Sequence, residues 1–417
     1  MKSKIKQLAT NNTRGVLSLL AGNTTARIVT TVGGLVLANY YGAESYGVFS
    51  VFLSYILIIS ILSSLRIDSM IALLRDTKQI INLFNGALLT ILAANFAIVS
   101  IISLLKYTGI IQFDLSYYLL LLIGLGSTLT AWNLSQFFLF TKYKLYKQIS
   151  FSFALSAIIS VLFQTLFYFT SNEENGLIYG WMIGLLASFI FNARVTKNRV
   201  RKVDYQLFKK SIQENIKVLK YTYPSDTINT IANNIMPILI IAYFTTAEVG
   251  IYAMAFKILT MPLVLLANAF GGVFYPKAAS LYQRDNEALK KLTYNTILIN
   301  VALITLFVIA MNTIGIYLLE LFLKEGWEDL RSYILALSFW IIARSLWSSI
   351  SDLDAVLRKN HYSLVFNIYL LLVNFIGIYY GVLKQDFIYS AWTFSILSGI
   401  GYIGLTSFVL YKLRKLD

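Results

Sequence analysis

The sequence contains no cysteine and one histidine, His361, and charged residues make up only 13% of its 417 positions. Without cysteine the chain has no disulfide framework and no thiolate metal site, and one histidine leaves little for zinc or a catalytic triad. Soluble globular proteins carry about 25% charged residues, whereas hydrophobic residues reach 57% here. This composition indicates an integral membrane protein.

Apolar segments of about 20 residues, the length that crosses the hydrocarbon core of a bilayer, recur along the whole chain. The strict alternation of a membrane β-barrel is absent from them. The basic start runs into an apolar segment longer than that of a signal peptide, so we expect it to be retained. The segments predict an all-α polytopic membrane protein with twelve transmembrane helices near residues 15–40, 46–68, 81–105, 115–140, 149–170, 176–193, 221–244, 249–273, 292–313, 332–356, 362–383 and 388–411.

Lysine and arginine are divided unevenly between the two sides of these spans. Both termini and the connections after even-numbered spans are basic, and so is the central connection, residues 194–220. The opposite side holds only Lys106, Lys324, Arg331 and Lys384. Because such residues stay cytoplasmic, we expect both termini in the cytoplasm, and the net charge of +15 is mainly a topology signal. Nucleic acid is an alternative partner of the central connection, but we expect none, since anionic membrane lipids would meet it first.

Two segments in different halves of the chain resemble each other. ANYYGAESYGVFSV at 38–51 matches IAYFTTAEVGIYAMA at 241–255 with an offset of one residue. Because each half holds six helices, an even number, both copies enter the membrane in the same orientation, which predicts a cavity between them. We therefore predict a transporter with an N-terminal lobe at 1–193, a basic cytoplasmic linker at 194–220 and a C-terminal lobe at 221–417.

Three segments carry a family resemblance: ANYYGAESYGVFSVFLSYILIISILSSLRIDSMIALLRD, IMPILIIAYFTTAEVGIYAMAFKILTMP and FYPKAASLYQRDNEALKK. They are similar to the bacterial O-antigen and polysaccharide flippases of the multidrug/oligosaccharidyl-lipid/polysaccharide (MOP) superfamily. The resemblance implies a transporter, not an enzyme, with two six-helix lobes in the bacterial inner membrane. The implied substrate is an oligosaccharide on undecaprenyl diphosphate or a similar polyprenyl carrier, moved to the outer leaflet during lipopolysaccharide assembly alongside other polysaccharide assembly proteins.

The same resemblance raises the question of ion coupling. Members of the family often carry an aspartate in the seventh helix, where this sequence has Asn233 and Asn234. That departure weakens the expectation that H⁺ or Na⁺ is coupled at this position. No other cofactor and no metal is expected.

Three cations lie inside predicted spans: Arg27 in the first, Lys257 in the eighth and Arg344 in the tenth. A charge near the bilayer centre costs between roughly 3 and 17 kcal/mol, and no acidic residue is expected at the same depth. The pattern predicts a cationic cavity for an anionic ligand. A diphosphate fits, because guanidinium groups offer paired donors to phosphate oxygens. Arg27 and Arg344 are predicted to bind it and Lys257 to assist, with snorkelling or local pairing as the alternative for each.

Further polar residues are candidates for the cavity. Arg66 is expected beside Asp68 at the end of the second span, where an ion pair and a substrate contact are both open. Asp226 is a candidate to take up H⁺ or Na⁺, and capping its helix is the alternative. Ser345, Ser348 and Asp352 form one stripe of the tenth helix, for sugar hydroxyls or for helix packing. The predicted water-lining face of the seventh helix comprises Asp226, Asn229, Asn233 and Asn234.

Two other functions remain as alternatives. A drug/cation antiporter of the same superfamily would need an acidic cavity. A membrane-embedded polysaccharide polymerase or glycosyltransferase usually carries a large external loop and would lack the two-half repeat. No GxxxxGK[ST] segment occurs, so the sequence gives no sign of ATP as the energy source.

Overall fold

The computed structural model describes residues 2–109, 116–170, 175–282, 284–323, 325–357 and 361–415, with side chains from residue 22 onward except 272, 355 and 361. Lys324, used above for orientation, lies outside the described residues. Every regular element in the described ranges is helical. In lipid the backbone must satisfy its own hydrogen bonds, and helices do so within one segment. The prediction of an all-α polytopic membrane protein is confirmed.

The first six spans begin with one long helix, Lys2–Ser64, that turns at Gly42. The backbone of Gly42 (φ 74°, ψ 174°) lies where a side chain is disfavoured. We therefore treat residues 2–41 as α1 and 43–64 as α2. A 3₁₀ turn, Asp68–Ala72, follows. The next elements are α3 (Thr77–Tyr107), α4 (Tyr117–Lys142), α5 (Tyr146–Phe169), α6 (Gly176–Thr196) and the short α7 (Tyr205–Glu214).

The remaining helices include two pairs that each form one span, α8 with α9 and α11 with α12. A bend at Ile235 separates the first pair, and a π turn, Met311–Gly315, joins the second. The helices are α8 (Tyr223–Asn234), α9 (Met236–Tyr243), α10 (Thr246–Leu281), α11 (Asn286–Ala310), α12 (Ile316–Phe322), α13 (Leu330–Ser348), α14 (Leu353–Val356), α15 (His361–Lys384) and α16 (Phe387–Arg414).

With α7 and α14 set apart, the described ranges contain the twelve predicted spans. Nine stretches are long and apolar enough to cross a membrane, and the first of them includes both α1 and α2. The two spans outside these nine are α8–α9 and α13, which carry many of the predicted site residues. Two boundaries differ from the prediction in a way that matters for the site. Asp68 lies beyond the end of α2, and Asp352 lies beyond the end of α13.

The described chain forms two compact units, Met1–Leu37 with Phe52–Thr230 (unit 1) and Ala38–Val51 with Ile231–Asp417 (unit 2). In unit 1, α5 and α6 pack closely through small residues. A Cβ on Gly180 would meet the backbone of Gln164, and one on Gly184 would meet Ser156 and Ser160. Small residues at such contacts let helix backbones approach each other in a membrane.

The basic segment 194–220 folds onto unit 1. Asn82 of α3 exchanges two hydrogen bonds with the backbone of Asp204, at 2.9 and 2.8 Å. Asn85 receives one from Arg201 and donates one to the carbonyl of Arg199. This segment therefore belongs to unit 1 up to the start of α8, while the lobe limits of the sequence analysis stay a prediction.

Unit 2 is centred on α13, which packs against α10 and α16. Trp340 of α13 is 2% exposed. Its ring stacks on Phe256 of α10 at 4.9 Å between centroids and lies 5.6 Å from Phe394 of α16. Near the α8–α9 break, Asn374 of α15 donates to the carbonyl of Ala232 at 3.0 Å. Helix breaks in membranes are tolerated where neighbouring side chains bond the freed backbone groups in this way.

Candidate functional site

Arg27 lies in the body of α1 with an exposed side chain. Gly22 and Gly33 of the same helix face Ser150 and Val161 of α5. At 100° per residue, Arg27 points about 120–140° away from those two glycines, and so away from α5. The described residues give its guanidinium no hydrogen bond or ion pair, so this cation has no protein counter-charge among them.

Helix bounds give the depth of the three predicted cations along their own helices. Arg27 lies about 22 Å from the turn at Gly42, Lys257 about 16 Å from the start of α10 and Arg344 about 21 Å from the start of α13, at 1.5 Å per residue. The hydrocarbon core is about 30 Å thick. Arg27 and Lys257 therefore lie well inside their helices, whereas Arg344 is only about 6 Å from the end of α13 at Ser348. The depth of each cation in the membrane stays a prediction.

Arg344 lies in a narrow aromatic cavity of unit 2. Its guanidinium carbon is 5.2 Å from the ring centre of Trp340, a cation–π distance. Tyr252, Phe256 and Tyr402 also line the cavity, which has a volume of about 10 Å³, room for about one water. Among the described residues no carboxylate lines it. Arg344 is thus held by aromatic faces and has no acidic partner there.

Lys257, the third predicted cation, has a partner of its own in unit 2. Its ammonium donates to the hydroxyl of Tyr46 at 3.0 Å. Tyr46 is 4% exposed and also packs edge-on against Trp327 at 6.0 Å. This contact favours the local-pairing alternative for Lys257, and its assistance to substrate binding stays a prediction.

Arg66 forms an ion pair with Asp226 of α8. Its Nε lies 2.6 Å from Asp226 Oδ2, with both side chains partly exposed, at 20% and 31%. The sequence predicts Arg66 beside Asp68 and leaves helix capping as the alternative role of Asp226. The ion pair found in the described chain instead joins positions 160 apart. Because the charge of Asp226 is already matched by Arg66, this arrangement does not favour Asp226 as an ion-coupling group.

Asp68 is a buried carboxylate in the 3₁₀ turn after α2. It is 0% exposed, and only Oδ1 has a described donor, the Ser69 N–H at 2.9 Å. Burial raises the pKa of Asp68 to about 6, although the Arg66 charge and backbone N–H groups lower it in part. Asp68 is thus closed off from solvent in this structure, and its cavity-lining role stays a prediction.

The polar face of the seventh span is divided between two cavities. Asp226 and the exposed Asn229 line a cavity of unit 1 with a volume of about 570 Å³. Asn233 lines the Arg344 cavity of unit 2. Asn234 is half-buried and ends α8 just before the bend at Ile235. Three of the four predicted positions therefore line cavities, and the water-lining role of the face stays a prediction.

Two residues of the predicted stripe of the tenth span, Ser345 and Ser348, bond a neighbouring helix, which favours the packing alternative for them. Asn300 of α11 donates to the carbonyl of Ser345 at 2.6 Å and to the Ser348 hydroxyl at 3.2 Å. Asp352 is exposed in the turn after α13. It therefore lies outside the helix on which the stripe was predicted. Asn133 and Asn192 also line the unit 1 cavity. The sequence does not predict them as site residues, because isolated asparagines in apolar spans show no distinguishing spacing.

Comparisons with known proteins agree with this architecture. Among solved structures, the lipid II flippase MurJ in an inward closed conformation is similar with a TM-score of 0.74 and 16% identity, covering 95% of this chain and 89% of that one. An inward-facing multidrug resistance MATE family transporter of the MOP superfamily has a TM-score of 0.63 and 14% identity, with 95% of each chain covered. A MOP superfamily transporter from Pyrococcus furiosus, described by the reverse polarity of its binding pocket, has a TM-score of 0.58 and 16% identity, with 97% and 95% covered.

The fold is therefore that of MOP superfamily transporters. No curated protein sequence gives a significant match. A family model described as "Polysaccharide biosynthesis protein" matches residues 36–332, well over half of the sequence. The chain belongs to this family of polysaccharide biosynthesis proteins.

Proposed function

We propose that the chain is a flippase that moves a polyprenyl-diphosphate-linked oligosaccharide, the repeat unit of O-antigen or a related surface polysaccharide, across the bacterial inner membrane with both termini cytoplasmic. Its family membership and its fold support a multi-pass transporter of polysaccharide biosynthesis. The observation that carries the finer proposal is Arg27, a guanidinium in the body of a membrane helix without a described counter-charge. A diphosphate supplies that charge and accepts paired hydrogen bonds.

Arg344 is a second cation without an acidic partner among the described residues of its cavity, so it also favours an anionic ligand. It lies about 21 Å along α13 in a cavity without a carboxylate. Aromatic faces stabilise the cation while it is unliganded, and its donors remain available for phosphate oxygens. We assign binding to Arg27 and Arg344, with Lys257 as a supporting residue through Tyr46.

The described acidic residues give less support to a cation antiporter. Asp226, the acidic residue lining the unit 1 cavity, is paired with Arg66. A pocket of about 340 Å³ near the α12–α13 connection is lined by Glu320, Glu325 and Glu328 together with Arg331. This pocket lies at helix ends. An antiporter would bind its cargo in the body of the spans, near the middle of the membrane.

The test replaces Arg27 and measures export of the surface polysaccharide beside membrane abundance of the protein. Arg27→Ala should abolish export while abundance holds, because removing an unpaired cation relieves its desolvation cost. Arg27→Lys should retain only part of the export, since a point charge replaces the guanidinium fork. Arg75→Ala, an exposed arginine before α3, is the matched control. Normal export from a well-expressed Arg27→Ala variant would refute the proposed binding of the diphosphate by Arg27.

A further inference from the structure

Unit 1 contains a cavity whose residues the export mechanism above does not use. The cavity lies among α2, α4, α5, α6 and the start of α8, and its volume is about 570 Å³. Ligand pockets in proteins span about 300–1,000 Å³. The space is therefore large enough for a small organic group rather than for water alone.

Hydrogen bonds fix the orientation of two asparagines at this cavity. Asn133 donates its Nδ2 to the carbonyl of Leu185 at 3.3 Å. A carbonyl only accepts, so Asn133 must turn Oδ1 toward Asn192, which donates Nδ2 to it at 3.0 Å. Asn192 Oδ1 is then left over, and it has no hydrogen-bond partner in the described part of the chain.

The leftover oxygen of Asn192 points to a ligand with a hydrogen-bond donor. Asn192 is 3% exposed, and a buried acceptor without a donor is costly. Beside it on the cavity wall, the hydroxyls of Ser152 and Ser188 bond each other at 2.7 Å. Hydroxyls can donate and accept, so they suit a ligand that does both.

The other lining groups exclude competing ligands. Arg66 lines the cavity and uses Nε for Asp226, so its two Nη groups are not taken up by this bond, and the two charges balance. A free cation would meet the guanidinium, and a free anion would meet the carboxylate. Two phenylalanine rings, Phe137 and Phe153, lie 6.1 Å apart on the walls and offer apolar faces. A lipid acyl chain would suit these rings but would leave Asn192 unsatisfied.

We propose that this unit 1 cavity binds one neutral sugar ring. Its hydroxyls donate to Asn192 Oδ1 and accept from Arg66, and its apolar C–H face packs on Phe137 and Phe153. The assignment rests on the proposed function, since a lipid-linked oligosaccharide brings such a ring to the protein. It adds a glycan subsite that is separate from the cations assigned to the diphosphate.

The absence of cysteine makes a direct test possible. Ser156 lines the cavity, so Ser156→Cys gives the purified full-length protein a single thiol there. Free glucose or N-acetylglucosamine should slow its reaction with a water-soluble maleimide in a saturable way, while Na⁺, sulfate and decanol should not. Protection by one of those three instead of a sugar, or by none of the probes, would overturn the proposal.

A variant then assigns the protection to the amide. In the Ser156→Cys background, Asn192→Leu should weaken sugar protection by about tenfold or more, the loss expected for one hydrogen bond to a buried acceptor. Asn95→Leu is the control, because Asn95 is equally buried in unit 1 but bonds Ser127 away from the cavity. Unchanged protection in a folded Asn192→Leu protein contradicts the proposal. The comparison of sugar with salts and alcohol needs no change at Asn192, so it decides the matter if that variant fails to fold.

Failure of this inference is distinguishable from failure of the proposed function. Arg27 does not line the cavity, so Arg27→Ala should keep sugar protection of the Ser156→Cys thiol. Normal export by Arg27→Ala with sugar protection intact would refute the diphosphate role alone. Lost export with no sugar protection in any background would refute the sugar site alone.

Discussion

Gly47 and Gly250 lie against each other where α2 and α10 begin. A Cβ on Gly47 would fall 3.1 Å from the Gly250 nitrogen and overlap the carbonyl oxygen of Thr246. A Cβ on Gly250 would fall 3.0 Å from the Gly47 nitrogen and overlap the carbonyl oxygen of Ala43. The contact is reciprocal, and the two glycines belong to the two segments, 38–51 and 241–255, that resemble each other in sequence.

The first prediction is that alanine at either glycine destabilises the protein. Gly47→Ala or Gly250→Ala should cost about 1–3 kcal/mol, as overpacking does, because the methyl group meets backbone rather than a flexible side chain. Thermal unfolding in detergent, followed by circular dichroism, measures the loss. Gly404→Ala is the control, since a Cβ there meets nothing within 4 Å. Equal melting temperatures for all three variants would show that the helices separate easily at this contact.

The second prediction concerns the Arg66–Asp226 ion pair. Because both side chains are partly exposed, Arg66→Ala or Asp226→Ala should each cost about 1–2 kcal/mol, between the values for surface and buried pairs. The double variant should cost less than the sum of the two single ones, with a coupling of about 1 kcal/mol. A double-mutant cycle on thermal stability measures this. Strict additivity would mean that the two charges do not interact in the folded protein.

The helices were predictable because hydropathy is a local property. Each of the twelve predicted segments coincides with a helical span, while the orientation inferred from the charge pattern stays a prediction. The errors occur where the chain leaves the membrane: hydropathy extended the second and tenth spans past Ser64 and Ser348. Asp68 and Asp352 were thereby assigned to helices, although each lies in a turn that follows one.

The partners of the charged residues were not predictable in the same way. Arg66 pairs with Asp226 over 160 positions, and Lys257 donates to Tyr46 over 211. Nothing in the spacing of one sequence indicates which distant helix supplies a partner. The unpaired cations were easier, because Arg27 and Arg344 stand out by charge alone in apolar segments.

The third prediction is a pH dependence of stability from Asp68. Its pKa is raised from 3.8 to about 6 in the folded protein, so the native state holds a proton that the unfolded state releases. Its contribution is present below about pH 4 and is lost as the pH rises through about 6, by at most about 3 kcal/mol. Asp68→Asn should remove this slope and raise the melting temperature at neutral pH. Glu214→Gln, at an exposed position, should keep the slope, and a slope that survives in Asp68→Asn must come from another group.

The fourth prediction tests the attachment of the basic segment to α3. Asn82→Leu removes both hydrogen bonds to Asp204, so residues 197–210 should open more often. Trypsin should then cleave after Arg201 or Lys202 several times faster than in the unmodified protein, since cleavage follows the open population. Asn95→Leu serves as the control, because Asn95 bonds Ser127 rather than this segment. Cleavage at an unchanged rate in Asn82→Leu would show that the two bonds do not hold the segment.

The last prediction separates Lys257 from Arg344. Lys257 bonds the buried hydroxyl of Tyr46, so Lys257→Met and Tyr46→Phe should each lower the melting temperature and should be non-additive together. Export per folded molecule should fall only partly in either, because Lys257 supports substrate binding and does not provide the main contact. Arg344 has aromatic faces but no acidic residue around it, so Arg344→Met should keep or raise stability while export falls to background.

Export and membrane abundance measured in the same cells compare these variants directly. The contrast is informative because both cations lie inside predicted spans of unit 2 and differ in whether the described residues already provide a hydrogen-bond acceptor. If Lys257→Met lost export at full stability and Arg344→Met kept it, the roles would be exchanged. The presence or absence of a hydrogen-bond partner within the protein would then not predict which cation binds the diphosphate.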